Sequence, residues 1–198
     1  MTSTRVYRIC FMAALLSTAL ACASRSQTPP PPSPQSQPSR PSDSDPASSS
    51  TANPAAWLVA DTSARTAKLT LKVTAPANSP SALINGFRAG TARIVVPVSW
   101  TIQWDWRNAD SSSPHSLVVM VQREKIPLEG GRPSFSNAMT RSVTEGLPAA
   151  QSDHSSFEAE EAGWYWMMCG VPGHALKGEW LELRVDPAAQ TARLETKK

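Results

Sequence analysis

The chain has 198 residues, of which 18% are charged, with a formal net charge of +3. That length allows one compact domain or a small pair, and nine of the 18 prolines fall between Pro29 and Pro54, so the part able to bury a core is shorter than the total. No basic stripe argues for nucleic acid, and no apolar run reaches the roughly 18 residues that cross a bilayer.

Residues 1–22 read as an export signal. Arg5 and Arg8 supply a positive start, and Ile9 to Leu20 form an apolar stretch too short to span. Ala19-Leu20-Ala21 before Cys22 resembles the lipobox of bacterial lipoproteins, with Ala19 where a leucine is expected. Lipidation of Cys22 would tie the chain to a bacterial membrane, facing the periplasm or the cell exterior. Plain cleavage near Ala21 or Ala23 is the alternative, and either places the mature chain outside the cytoplasm. Residues 23–56 are rich in Pro, Ser, Gln and Thr, including the run Pro29 to Pro32. Such a segment has too few apolar groups to offset the entropy of ordering it. It is expected to be a disordered tether, and at ~3.1 Å per residue about 30 residues reach on the order of 100 Å.

From residue 57 to 187 the pattern is that of strands. Lys68 to Val73 alternates polar and apolar, and Trp100, Ile102, Trp104 and Trp106 share one face of the next clear alternation. Further strands are expected at Thr91–Val96, Ser116–Gln122, Ser155–Glu160, Gly163–Cys169 and Trp180–Val185, separated by Gly, Pro, Asn and Ser clusters. The spacing predicts an antiparallel sandwich or barrel. Leu128 to Ala150 reads as a long connection with a short helix around Ser136–Glu145, and residues 188–198 as a polar, frayed tail.

Of the three cysteines, Cys10 lies in the signal and Cys22 at its end, so the folded domain keeps only Cys169 and cannot form an internal disulfide. A lone thiol outside the cytoplasm is an inert buried group, a nucleophile or a metal ligand. Its neighbours bear on the choice. A strand delivers Cys169 to a short loop holding Gly170, Pro172 and Gly173, followed by His174. Far upstream, Pro114-His115 places a second histidine where a turn enters an aliphatic strand. One thiolate and two imidazoles from distant strand ends are the trigonal set that type 1 copper uses. The pleat agrees: His115, Leu117, Val119 and Val121 share a face, as do Tyr165, Met167 and Cys169.

These residues carry a resemblance. Asn85-Gly86 before the Thr91–Val96 strand, Pro114-His115, the Gly163-Trp164-Tyr165 turn and Cys169-Gly170-Val171-Pro172-Gly173-His174 are similar to the cupredoxins, and among them most similar to the sulfocyanin group. The resemblance implies an all-β, Greek-key cupredoxin-like β-sandwich that binds one copper ion at its loop end and carries single electrons. It implies redox partner proteins such as cytochromes or a terminal oxidase, and no enzyme activity.

The family's pattern ends in a methionine five residues after the histidine, and Glu179 stands there instead. Glu179 shares a face with Leu181, Leu183 and Val185, so it projects inward, where an axial ligand would. A carboxylate is harder than a thioether, favours Cu(II), and predicts a green or red site of lowered potential. The alternative has Glu179 turned to solvent or bonded to the loop backbone. His154 is flanked by polar residues and reads as a surface residue. Met167 and Met168 read as packing, as do the tryptophans. Val171, Pro172, Ala175 and Leu176 form either a docking patch around His174 or ordinary loop packing. Two other readings remain: a copper site with an open position for a small ligand such as nitric oxide, and copper storage or delivery, for which Met120, Met139, Met167 and Met168 form no cluster. A dinuclear centre needs two cysteines and is excluded.

Overall fold

The structure, a computed structural model, describes residues 57–197. The expected signal, Cys22 and the tether lie outside the described residues. Among the described residues ten strands form: β1 (Leu58–Asp61), β2 (Thr66–Thr74), β3 (Leu83–Ile84), β4 (Ala92–Pro97), β5 (Thr101–Asn108), β6 (Val118–Val121), β7 (Ser152–Glu158), β8 (Gly163–Met168), β9 (Trp180–Asp186) and β10 (Arg193–Thr196). One sheet runs β1-β2-β5-β7 with β3 also paired to β2, and the other runs β10-β4-β9-β8-β6. From β4 to β8 successive strands alternate between the sheets, the connectivity of a Greek-key sandwich.

The core follows from period-two alternation. Ala67, Leu69, Leu71 and Val73 of β2 and Ile102, Trp104 and Trp106 of β5 face Ile94, Val96, Tyr165, Met167, Leu181 and Leu183 of the opposite sheet, all buried. Trp104 meets Phe157 edge-on at 5.2 Å between ring centres, and Phe135 stacks on Phe157 at 5.7 Å. Phe135 comes from the long connection, so that segment plugs the sandwich rather than looping free.

Three expectations need correction. The sandwich is not wholly antiparallel, because β2 pairs β5 and β4 pairs β9 in parallel. Each parallel pair joins strands whose chain connection crosses the other sheet, which alternation alone cannot reveal. The stretch around Ser136–Glu145 forms turns and bridges, not a helix: Val119 N–H donates to the Ala138 carbonyl and Thr140 N–H to the Leu117 carbonyl, so the segment bonds to the flank of β6. The supposed tail holds β10, whose Leu194 packs on the core while Arg193 pairs with Glu195 and Lys197 with Glu182. Its polar residues are the outward half of an edge strand, a composition that guards a sheet edge.

A second, smaller cluster lies on the outer face of the β8-containing sheet, where Val118, Trp166, Met168 and Ala175 pack with Met120, Ile126, Val143 and Trp180. Ile126 and Val143, from the chain between β6 and β7, cover this cluster. Trp104→Ala is expected to cost about 3–5 kcal/mol of stability, and Leu194→Ala about 1 kcal/mol, read as urea midpoints at constant slope. A frayed C-terminus would leave the Leu194→Ala midpoint unmoved.

Candidate metal centre

Cys169 follows β8 directly, and the loop from Gly170 to Glu179 returns the chain into β9. That loop is short because its ends are tied: Cys169 N–H donates to the Glu179 carbonyl at 3.0 Å. It contains a 3-10 turn, Ala175–Lys177, ending at Gly178 with φ of 102°, a backbone that glycine adopts without strain. His115 enters from the other side, just before β6, held by a two-way backbone pairing with Leu147 at 3.2 and 2.7 Å.

The long connection clamps this arrangement. Gly173 N–H donates to the Leu128 carbonyl at 2.7 Å and Gly130 N–H to the Gly170 carbonyl at 2.8 Å. Ser116 Oγ donates to the Val143 carbonyl at 2.6 Å and accepts from Gly170 N–H at 2.9 Å. A Cβ at Gly170 would lie 2.3 Å from Val143 Cγ1 and 2.9 Å from the Val143 carbonyl oxygen. Glycine there permits the two loops to cross.

Four side chains converge. Ligand-capable atoms of His115, Cys169, His174 and Glu179 all lie within 4.8 Å of one another. Cys169 Sγ is 3.6 Å from His174 Nδ1 and 4.0 Å from His115 Nδ1, and the two Nδ1 atoms are 3.3 Å apart. Glu179 Oε2 is 3.0 Å from His115 Nδ1 and 3.2 Å from His174 Nδ1. The side chains of His115 and Glu179 are 2% exposed, whereas that of His174 is 18% exposed and reaches the surface. His154 lies elsewhere, on β7, with its side chain 78% exposed.

The donor set fits a cation. Glu179 Oε1 lies 2.8 Å from His115 Nδ1, yet this buried oxygen has no aligned hydrogen-bond partner among the described residues. Each Nδ1 carries at most one proton, too few to satisfy a sulfur, a carboxylate and a facing ring nitrogen together. Lone pairs aimed at one point, with an orphaned carboxylate oxygen among them, are what a bound cation resolves.

Two further residues complete the surroundings, neither singled out from the sequence. Ser116 N–H points at Cys169 Sγ at 3.4 Å. Asp110 Oδ2 lies 2.8 Å from His115 Nε2, with Asp110 itself 5% exposed. A buried Asp five positions before a histidine, across a Ser-rich turn, is the only trace of this contact in the sequence. Ala175 is buried in the outer cluster and takes no part in a surface patch, while Leu176 is 56% exposed.

The metal-free electrostatics follow. Burial pulls the His115 pKa down, but hydrogen bonds to Cys169 and Glu179 outweigh it and push the value up to about 10. Hydrogen bonds to Cys169 and Glu179 raise His174 to about 9, against a smaller effect of burial. Burial raises the Cys169 and Glu179 pKa values, yet the two histidines draw both below their ordinary values. Near neutral pH the metal-free cluster is two imidazoliums facing a carboxylate and a thiol whose thiolate they favour. The histidine share of metal-free stability is complete below the unfolded value of 6.5 and is lost as pH rises through about 9 and about 10. Metal affinity runs the other way, because Nδ1 binds only after losing its proton. Copper loading near neutral pH is expected to release one proton from each imidazole and a further one from Cys169 where it is still a thiol, with affinity rising between about pH 6 and about pH 8. An affinity flat over that range, by competition titration, would contradict the cluster's charge state.

The chain matches the sulfocyanin (SoxE) domain family over residues 54–192. It is 28% identical over 126 residues to the sulfocyanin of Sulfolobus acidocaldarius, covering 60% of this chain and 63% of that protein's length. Among solved structures it is similar to rusticyanin from Thiobacillus ferrooxidans, with a TM-score of 0.42 and 16% identity over 62% of this chain and 82% of that one. It is also similar to auracyanin from Roseiflexus castenholzii, with a TM-score of 0.42 and 20% identity over 60% of this chain and 97% of that one. The copper-containing nitrite reductase of Thermus scotoductus aligns with a TM-score of 0.45 and 17% identity, over 62% of this chain and 31% of that one. The cofactor of the domain is copper, one ion, in agreement with the thiol, two imidazoles and carboxylate that meet in it. With the family matched from β1 through β9, this chain belongs to the sulfocyanin (SoxE) family.

Proposed function

We propose that this chain is an exported, lipid-anchored copper protein that carries single electrons between redox partners such as cytochromes or a terminal oxidase. Cys169, His115 and His174 are its principal ligands and Glu179 the fourth. The observation that carries the reading is the convergence of ligand-capable atoms of these four side chains, three of them buried, within 4.8 Å. Bound copper supplies a one-electron couple between Cu(I) and Cu(II).

The remaining work falls to the protein. Two paired strands and a crossed loop hold the ligands, so one geometry serves both oxidation states and little rearrangement accompanies transfer. His174 offers the surface contact, with its ring partly exposed and Val171, Pro172 and Leu176 nearby as apolar surroundings suited to brief docking. Burial of Cys169 beneath Ser116 and the loop shields the thiolate from solvent oxidants. Glu179 favours the oxidised ion and lowers the potential. Export and the lipid anchor rest on the signal-like residues 1–22 and on Cys22.

One observation favours a second reading, in which a small ligand such as nitric oxide binds at copper. A cavity of about 210 Å³ opens beside the cluster, lined by Asp110, His115, His174, Glu179, Ser112 and Lys177 among others. Azide added to the oxidised protein separates the two: an unchanged EPR spectrum supports the carrier, and a shifted one the ligand-binding site.

The carrier reading predicts one copper per chain and a reversible one-electron wave, with the thiolate charge-transfer band abolished by Cys169→Ala. Glu179→Met is expected to turn a green or red protein blue and to raise its potential. Identical spectra and potentials in wild type and Glu179→Met would remove Glu179 from the ligand set.

A further inference from the structure

Among the residues around the centre, Asp110 is a charged group with no assigned role, and its surroundings are built rather than incidental. Its Oδ2 lies 2.8 Å from His115 Nε2, and its Oδ1 accepts from Ser112 N–H at 2.8 Å and from Ser112 Oγ at 2.6 Å. The Asp110 N–H donates to Asn108 Oδ1 at 2.9 Å. Asn108, fully buried, spends its amide N–H groups on the Ser113 and Leu147 carbonyls, both at 2.9 Å. Leu147 in turn is the residue whose backbone pairs with His115. The turn after β5 is therefore a closed network whose single charged side chain is aimed at the far nitrogen of one ring.

We infer that Asp110 is a positioning residue for copper: by accepting the Nε2–H of His115 it fixes the tautomer that presents Nδ1 to the cluster, and its charge makes that ring a stronger donor that favours the oxidised ion. The inference rests on the copper reading above. A buried carboxylate costs several kcal/mol in desolvation unless it is paired. Asp110's other side-chain hydrogen-bond partners are the neutral hydroxyl and N–H of Ser112, so among the described residues His115 is the only group within hydrogen-bond distance that can balance its charge. The two nitrogens of His115 then have distinct tasks: Nε2 is committed to Asp110, and only Nδ1 faces Cys169, His174 and Glu179. Carboxylates behind ligating histidines act in this way, and their loss shifts metal affinity on the order of 10–100-fold.

Two substitutions test this with opposite signs. Asp110→Asn can turn its amide oxygen to Nε2, keeping the hydrogen bond and deleting the charge. It is expected to lower Cu(II) affinity relative to Cu(I) by about tenfold, which raises the potential by about 59 mV for a one-electron couple. Ser112→Ala removes a donor from Oδ1 and leaves the carboxylate more basic, so the potential should fall. In the Cu(I) form, the His115 Nε2–H proton should give an exchange-protected NMR signal in wild type that Asp110→Ala loses. Copper at full stoichiometry with unmoved potentials in both variants, or a shift of the same sign in both, would overturn the inference and leave Asp110 as a brace for the turn. If Asp110→Asn fails to fold, the sign of the Ser112→Ala shift decides alone. A wild type that takes up no copper would instead refute the parent reading and this one with it.

Discussion

Two imidazoles, a thiol and a carboxylate share a pocket in which none of them can be removed singly without stranding the others. His115 and Glu179 are almost wholly enclosed, and each lies within hydrogen-bond distance of the other. Breaking a buried charged pair by deleting one partner typically costs about 3–5 kcal/mol, because the survivor keeps its desolvation penalty and loses its compensation. The four groups therefore depend on one another, and the surrounding chain is arranged to hold them together. The backbone tie between Cys169 and Glu179, the pairing of His115 with Leu147 and the crossing at Gly170 all restrain the same four side chains from different directions.

That restraint links fold to chemistry. Copper moves between two oxidation states with different preferred surroundings, and a site free to follow each preference would have to reorganise at every transfer. Here the candidate ligands hang from the ends of β8 and β9, which pair along six residues, and from the entry to β6, which pairs with β8. The long connection adds a second layer by packing Phe135 into the main core and Val143 against the ligand loop. A feature that reads from sequence as an irregular insertion is thus part of the frame that keeps the metal loop closed.

Much of this was legible in the residues. The alternation of β2, β5 and β9 predicted both the strands and the faces they bury, since a half-buried strand must alternate. Cys169, His115 and His174 were named as candidate ligands from the type and spacing of side chains, because few residue sets combine one thiol, two imidazoles and loop glycines, and Glu179 from its place in the pattern of the family the chain resembles. What could not be read has physical causes. β10 is short, polar and an edge, so its pattern matches that of a tail, and its partner β4 lies about a hundred positions away in the chain. The parallel pairings depend on which strands cross between sheets, and periodicity carries no information on crossing. Asp110 escaped notice because a carboxylate in a Ser-rich turn looks like solvent-exposed loop chemistry until the fold places it against a ring.

The central claim is that these four side chains form one preassembled copper site. A crystal structure of the copper-loaded domain, with anomalous scattering collected at the copper edge, tests it most directly. The account predicts a single strong peak within bonding distance of Cys169 Sγ and of Nδ1 of both His115 and His174, with backbones superposing on the metal-free fold. A peak elsewhere, or ligand loops that separate to accommodate the ion, would contradict it.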